Sequence, residues 1–189
     1  MVASRNITEL VDRVGRIVHG MQFADGLNPA QWEALRYLSR ANCYSRTPGA
    51  LAEYLGSTKG TVSQTLIALE SKGYVVRARS ESDRRSVKIE LTDEGTELVK
   101  QDPLSMIEDA VVDLTAGDRE TFARAMDGLI KTLQRDRGQA EFGNCGDCAH
   151  NKIEDKTPES CRCLLRDEII SVEDIERICL DFQSVQPAS

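Results

Sequence analysis

Leu69-Glu70-Ser71-Lys72-Gly73-Tyr74-Val75-Val76-Arg77 is the stretch in which one kind of structure gives way to another. Up to Lys72 the apolar residues keep helical time: Val62, Leu66 and Leu69 stand at i, i+4 and i+7, on one face of a helix. Gly73 is the residue type that can end such a helix in the left-handed conformation. After it the period becomes two. Val87, Ile89 and Leu91 alternate with Lys88 and Glu90, which predicts a half-buried strand. Its expected partner is Tyr74 to Arg79, joined to it by the polar loop Ser80-Glu81-Ser82-Asp83-Arg84-Arg85. A helix followed by a hairpin wing is the expectation.

Upstream, Thr47-Pro48 places a capping hydroxyl before a proline, a helix-start signal for a short helix through Leu51, Tyr54 and Leu55. Gly56 ends it, and Ser57 or Thr58 caps the next. Two short helices around a tight glycine turn form a helix-turn-helix pattern. Before them, Asn28-Pro29-Ala30-Gln31 reads as a capping box ahead of Trp32, Leu35 and Leu38. Ile7, Leu10, Val11, Val14, Ile17, Val18 and Met21 predict an amphipathic first helix. Downstream, Thr92-Asp93-Glu94 starts a helix through Leu98 and Val99 that Pro103 is expected to kink or break. Helix is expected to resume from Met106 to Leu114. Thr115 and Asp118 then cap a last one carrying Phe122, Met126, Leu129, Ile130 and Leu133. The chain is therefore expected to be mostly α with a small β wing.

The chain has 189 residues and a net charge of -7, unfavourable at first sight for a nucleic-acid binder. Its distribution changes that. Between Thr47 and Thr92 seven Lys/Arg face five Asp/Glu, a basic surplus inside an acidic chain. No apolar run approaches the ~20 residues that span a bilayer, and the first residues lead into charge, so no membrane contact and a cytoplasmic location are expected. Neither a Ser/His/Asp constellation nor a phosphate-cradling glycine loop is present, so an enzyme is not expected.

On the helix beginning at Ser57 or Thr58, the face away from Val62, Leu66 and Leu69 carries Lys59, Thr61, Ser63, Gln64 and Thr65. These side chains suit base edges and phosphates in a major groove about 12 Å wide. Gln64 is the candidate for bidentate adenine readout, and Ser57, Thr58 and Lys59 for phosphates. A merely solvated polar face is the alternative. At the wing tip, Arg84 or Arg85 could enter the minor groove, supported by Asp83.

The run from Leu69 to Arg77, followed by Asp83-Arg84-Arg85-Ser86-Val87-Lys88-Ile89-Glu90-Leu91-Thr92, resembles the multiple-antibiotic-resistance regulator (MarR) family. Asp83, Arg85, Leu91 and Thr92 match that family's wing pattern of Asp-x-Arg and Leu-Thr. The resemblance covers roughly residues 5 to 137. It implies a DNA-binding transcription regulator, a repressor by expectation, in which the first and last two helices form a homodimer. It places the fourth helix in the major groove and Arg85 in the minor groove. The two copies would read a palindromic operator with half-sites about one helical turn apart.

The family pattern ends before residue 140, and five of the six cysteines fall in the last 45 residues. Two units are expected: 1–139, the winged helix-turn-helix and dimerisation domain, and 140–189, a cysteine-rich metal-binding module. In a chain without a secretion signal, clustered cysteines read as ligands, not disulfides. The spacing is Cys145-x2-Cys148-x12-Cys161-x-Cys163-x15-Cys179. Ser171 is expected to cap a last helix on which Val172, Ile175, Ile178, Cys179 and Phe182 share a face. A 4Fe–4S iron–sulfur cluster is favoured, the spacing resembling small high-potential-type modules of certain glycyl-radical enzyme subunits. Its expected ligands are Cys145, Cys148, Cys179 and either Cys161 or Cys163. Zinc is the alternative, with His150 as a substitute ligand. Two regulatory expectations follow. Either the cluster, lying beside the last dimerisation helix, tunes DNA binding as a redox or iron sensor, or the site is a zinc staple and a small molecule is the inducer. Cys43 and His19 are expected to pack or face solvent.

Overall fold

The computed structural model describes residues 4–79, 87–153 and 161–185. Its elements are α1 (Ser4–Met21), α2 (Pro29–Arg40), α3 (Pro48–Tyr54), α4 (Lys59–Ser71), β1 (Val75–Arg79), β2 (Val87–Leu91), α5 (Asp93–Val99), α6 (Ser105–Val112) and α7 (Ala116–Asp136). A 3-10 turn (Cys145–Asp147) follows, then β3 (Asn151–Ile153), β4 (Cys161–Cys163), β5 (Glu168–Ile170) and α8 (Val172–Ile175).

The helix starts are set by side chains that satisfy otherwise orphaned N–H groups. Asn28 and Gln31 form the reciprocal capping box of α2. Thr47 caps α3, and Thr58, the second of the two candidates, caps α4 by accepting from Thr61 N–H. Gly73 leaves α4 at φ +79°. β1 and β2 then pair antiparallel, Val75 opposite Leu91 and Arg77 opposite Ile89. Gly95 fits beneath this hairpin because a Cβ there would stand 2.1 Å from Tyr74 O.

One core holds these pieces. Trp32, Leu35 and Leu38 of α2, Leu51 of α3, Val62, Leu66 and Leu69 of α4, Val75 of β1 and Ile89 of β2 are each at most 1% exposed. Fully burying such a side chain contributes about 1.5–3 kcal/mol, and this convergence fixes α4 against α2, α3 and the hairpin.

The helix predicted across Pro103 is broken. α5 ends at Val99, residues 100–104 turn, and α6 starts at Ser105. Proline supplies no N–H for a continuing helix. The turn is fastened by Asp102, whose carboxylate accepts Leu104 N–H (2.8 Å) and two contacts from Arg36 Nη1 (3.0 and 3.2 Å).

α1, α6 and α7 contain no buried residue. Leu10, Val14 and Ile17 of α1, Met106 of α6, and Phe122 and Leu133 of α7 are half to two-thirds exposed. Amphipathic stripes of this kind on separate helices leave a single chain with unpartnered apolar surface.

The C-terminal segment departs from the sequence expectation in two respects. It contains an unforeseen three-stranded antiparallel sheet, β3-β4-β5, with Cys161 opposite Ile153 and Ile170, and Cys163 opposite Asn151 and Glu168. The helix capped by Ser171 is a single turn, so Val172, Ile175, Ile178, Cys179 and Phe182 do not share a helical face. Ile178 and Cys179 lie instead in an extended segment, bridged to Ala41 and Gly143 respectively.

Candidate nucleic-acid interface and cysteine site

α4 is presented with its apolar side inward. Opposite the buried Val62, Leu66 and Leu69, the side chains of Thr58, Lys59, Thr61 and Gln64 are exposed, and Ser57, Ser63 and Thr65 are half-buried. Three of these hydroxyls, those of Thr58, Thr61 and Thr65, are engaged in the helix itself. Thr58 Oγ1 lies 2.9 Å from Thr61 Oγ1 and accepts Thr61 N–H, while Thr65 Oγ1 donates to Thr61 O at 3.1 Å. Lys59 and Gln64 are left exposed, the cation at the helix start and the amide about one and a half turns further along. Asp83, Arg84 and Arg85 lie outside the described residues. The strands that would carry them are held by Arg46 O, which accepts Ile89 N–H at 2.8 Å, and by Arg77 Nε, 3.2 Å from Glu70 on α4.

The second site collects all five C-terminal cysteines. Cys145, Cys148, Cys161, Cys163 and Cys179 line one pocket together with His150, Asn151, Ile170 and Asp181. The Cys-x2-Cys pair sits on the 3-10 turn capped by Asn144. Cys161 and Cys163 reach the same pocket because residues two apart on a strand point the same way. Cys179 is presented by the strand-like segment whose N–H donates to Gly143 O at 2.9 Å. All five are free of disulfides, and Cys145, Cys161 and Cys179 are buried.

The electrostatics hold the buried thiols in their protonated form. Burial, and then the neighbouring thiols Cys179, Cys161, Cys148 and Cys163, push the Cys145 thiol up to about 12. Cys161 and Cys179 are also raised, chiefly by burial. Thiols crowded in this way ionise readily only when a positive ion takes the place of their protons. Buried polar atoms at the pocket are left without hydrogen-bond partners: His150 Nε2 and Asn151 Oδ1. Both fit the surroundings of a metal or cluster, as a ligand or a second layer of hydrogen bonds. Among the described residues no three His, Cys, Asp or Glu side chains converge closely enough to hold a single metal ion. By its chemistry alone, the donor set of five thiols and an imidazole fits an iron–sulfur group or zinc.

The segment carrying this site docks on the stretch between α2 and α3, which sequence spacing did not reveal. Asn42 N–H donates to Ile178 O (2.9 Å), Ile178 N–H to Arg40 O (2.9 Å), and Leu180 N–H to Ser45 Oγ (2.8 Å). Tyr44 packs against the cluster of Cys145, Cys161 and Ile170, its hydroxyl donates to Glu168, and Arg166 stacks 4.4 Å from its ring. Phe142 meets Tyr54 of α3 edge to face at 5.1 Å. Cys43 is half-buried in the same segment but does not line the pocket; burial and then Asp174 raise its thiol. His19 packs edge-on against Phe23, far from any cysteine in sequence. Among the described residues no helix is long and apolar enough to cross a membrane.

Part of the head is similar to known proteins. Residues 25–86 match the MarR family model. The transcriptional repressor MprA of Escherichia coli (strain K12) is 31% identical over 78 residues, 41% of this chain and 44% of that protein. The match thus spans less than half of that relative. Among solved structures, Streptococcus pneumoniae FabT in complex with DNA superposes with a TM-score of 0.58 at 22% identity, over 70% of this chain and 99% of that one. The S. aureus MepR–DNA complex gives 0.54 at 23% identity, over 71% and 99%. These two likenesses establish the fold.

Proposed function

We propose, from a head that is a MarR-type winged helix-turn-helix, that this chain is a sequence-specific DNA-binding transcription regulator, a repressor, working as a homodimer. The observation that carries this reading is α4, whose Val62, Leu66 and Leu69 are locked in the core while Lys59, Thr61 and Gln64 face outward. Gln64 reads a base edge in the major groove, Ser57, Thr58 and Lys59 hold phosphates, and Thr61, Ser63 and Thr65 line the same contact. Arg84 and Arg85 approach the minor groove from the wing, with Asp83 in support. The exposed apolar stripes of α1, α6 and α7 are what a second copy would cover, and two heads so joined read a palindrome.

The cysteine site holds a 4Fe–4S cluster in this reading, and the cluster's presence sets the affinity for DNA. Its ligands are Cys145, Cys148, Cys179 and one of Cys161 and Cys163. The collection of five thiols in one pocket supports it. When bound, such a group supplies a redox- and iron-sensitive anchor.

Both halves are testable. Binding to a duplex selected from a random pool should weaken steeply with salt, and Arg85→Ala should weaken it and flatten the salt slope by about one unit. An unchanged slope would remove the wing from the interface. Protein purified without oxygen should be brown, absorb near ~400 nm and release iron and sulfide. A colourless protein releasing zinc would make the site a structural staple, with an inducer sought elsewhere.

A further inference from the structure

We propose that the segment joining α2 to α3, residues 41–47, is the element through which the cysteine site acts on the reading head, with Asn42 as the residue that senses the site. This rests on the reading of the five cysteines as a cluster site and goes beyond it by naming the route and the positioning residue.

Asn42 is 1% exposed. Oδ1 accepts from Tyr44 N–H (3.2 Å) and Ser45 N–H (3.0 Å), which shapes the turn. Nδ2 is buried without a hydrogen-bond partner, while the backbone N–H of the same residue donates to Ile178 O, the carbonyl next to Cys179 in the chain. Hydrogen-bond donors beside a ligand-bearing segment are the groups that tune a cluster and orient its ligands.

The segment is tied to both regions at once. On the cysteine side, Ser45 Oγ accepts Leu180 N–H at 2.8 Å, and Asn42 N–H donates to Ile178 O at 2.9 Å. On the head side, Ser45 O accepts the Tyr37 hydroxyl at 2.7 Å, and Arg46 O accepts Ile89 N–H of the wing strand β2 at 2.8 Å. Thr47 caps α3, the first helix of the helix-turn-helix. A shift of Cys179 between the loaded and empty site therefore reaches the start of α3 and the wing within five residues. α7 is not needed as an intermediary.

The test uses the full chain with Asn42→Asp, which keeps the oxygen that accepts Tyr44 and Ser45 N–H but replaces the buried, unpartnered Nδ2 donor. A second variant, Ser45→Ala, loosens the Leu180 contact without touching Asn42. Each protein is loaded with iron and sulfide, or stripped with a chelator, and titrated against the duplex selected by the wild type. Wild-type loaded and empty forms should differ in affinity roughly 5- to 150-fold, the ordinary range of coupling between sites. Asn42→Asp should retain iron and sulfide, move the cluster's midpoint potential in the negative direction, and bring that ratio to within about twofold. Ser45→Ala should lower the ratio at unchanged potential. A wild-type ratio preserved in both variants overturns the proposal while the cluster reading stands. A wild type that takes up no iron overturns the cluster reading itself, and the proposal with it.

Discussion

The reading head and the cysteine module are folded by different means. The head draws α2, α3, α4 and the hairpin onto one apolar core, with Trp32, Leu35, Leu51, Leu66, Leu69 and Ile89 all excluded from water. The module's own buried cluster is Cys145, Cys161 and Ile170, with Tyr44, Cys163 and Ile175 beside it, and Tyr44 belongs to the head. Its side chains supply thiols where a core would need aliphatics. A segment that small, short of apolar volume, depends on its docking partner and, on the proposed reading, on a bound group. On that reading the head should stand without the module, and the module should not stand without the group.

Stripping the site is the largest way to break that comparison. Removal of a structural metal group forfeits a binding free energy of order 10 kcal/mol. Amides of Cys161–Cys163 and Glu168–Ile170 should lose hydrogen-exchange protection while those of α4 keep theirs. Equal loss in both regions would mean a single cooperative unit. Next in size, Leu66→Ala in the head should cost about 3–5 kcal/mol, since it empties a site that is fully buried. Denaturant unfolding followed through Trp32 measures it, and the cluster spectrum should survive below the transition.

Gln64→Ala should leave stability nearly unchanged and cost about 1–3 kcal/mol of discrimination at one base position. A uniform loss across all sequences would turn Gln64 into a phosphate contact. The smallest expected effect is Thr92→Ala. Its hydroxyl accepts Gly95 N–H at 3.0 Å and donates to Gly73 O at 2.7 Å, linking the end of α4 to the start of α5. Loss of that cap should cost about 1 kcal/mol in the same unfolding experiment and leave the cluster untouched.

Local signals made the head legible. The Asn28–Gln31 box, the caps at Thr47 and Thr115, the stop at Gly73 and the Val62-Leu66-Leu69 face each depend on residues within a few positions of one another. The helix predicted to carry Cys179 failed for the opposite reason. Ile178 and Cys179 have helical spacing from Val172 and Ile175, yet their N–H groups go to Arg40 and Gly143 instead. Partners more than thirty residues away decided the backbone, and spacing alone carries no trace of them. The β3-β4-β5 sheet escaped notice because three-residue strands are too short to show a period.

The helix α4 and the number and spacing of the cysteines follow from the sequence, because periodicity, caps and cysteine spacing act over one or two turns of chain. Only the tertiary structure brought Cys161, Cys163 and Cys179 into one pocket with Cys145 and Cys148. It also placed the segment carrying that pocket against Asn42, Tyr44 and Ser45. Such contacts arise from buried hydrogen bonds across more than a hundred residues, where loop closure, not local preference, selects the partner.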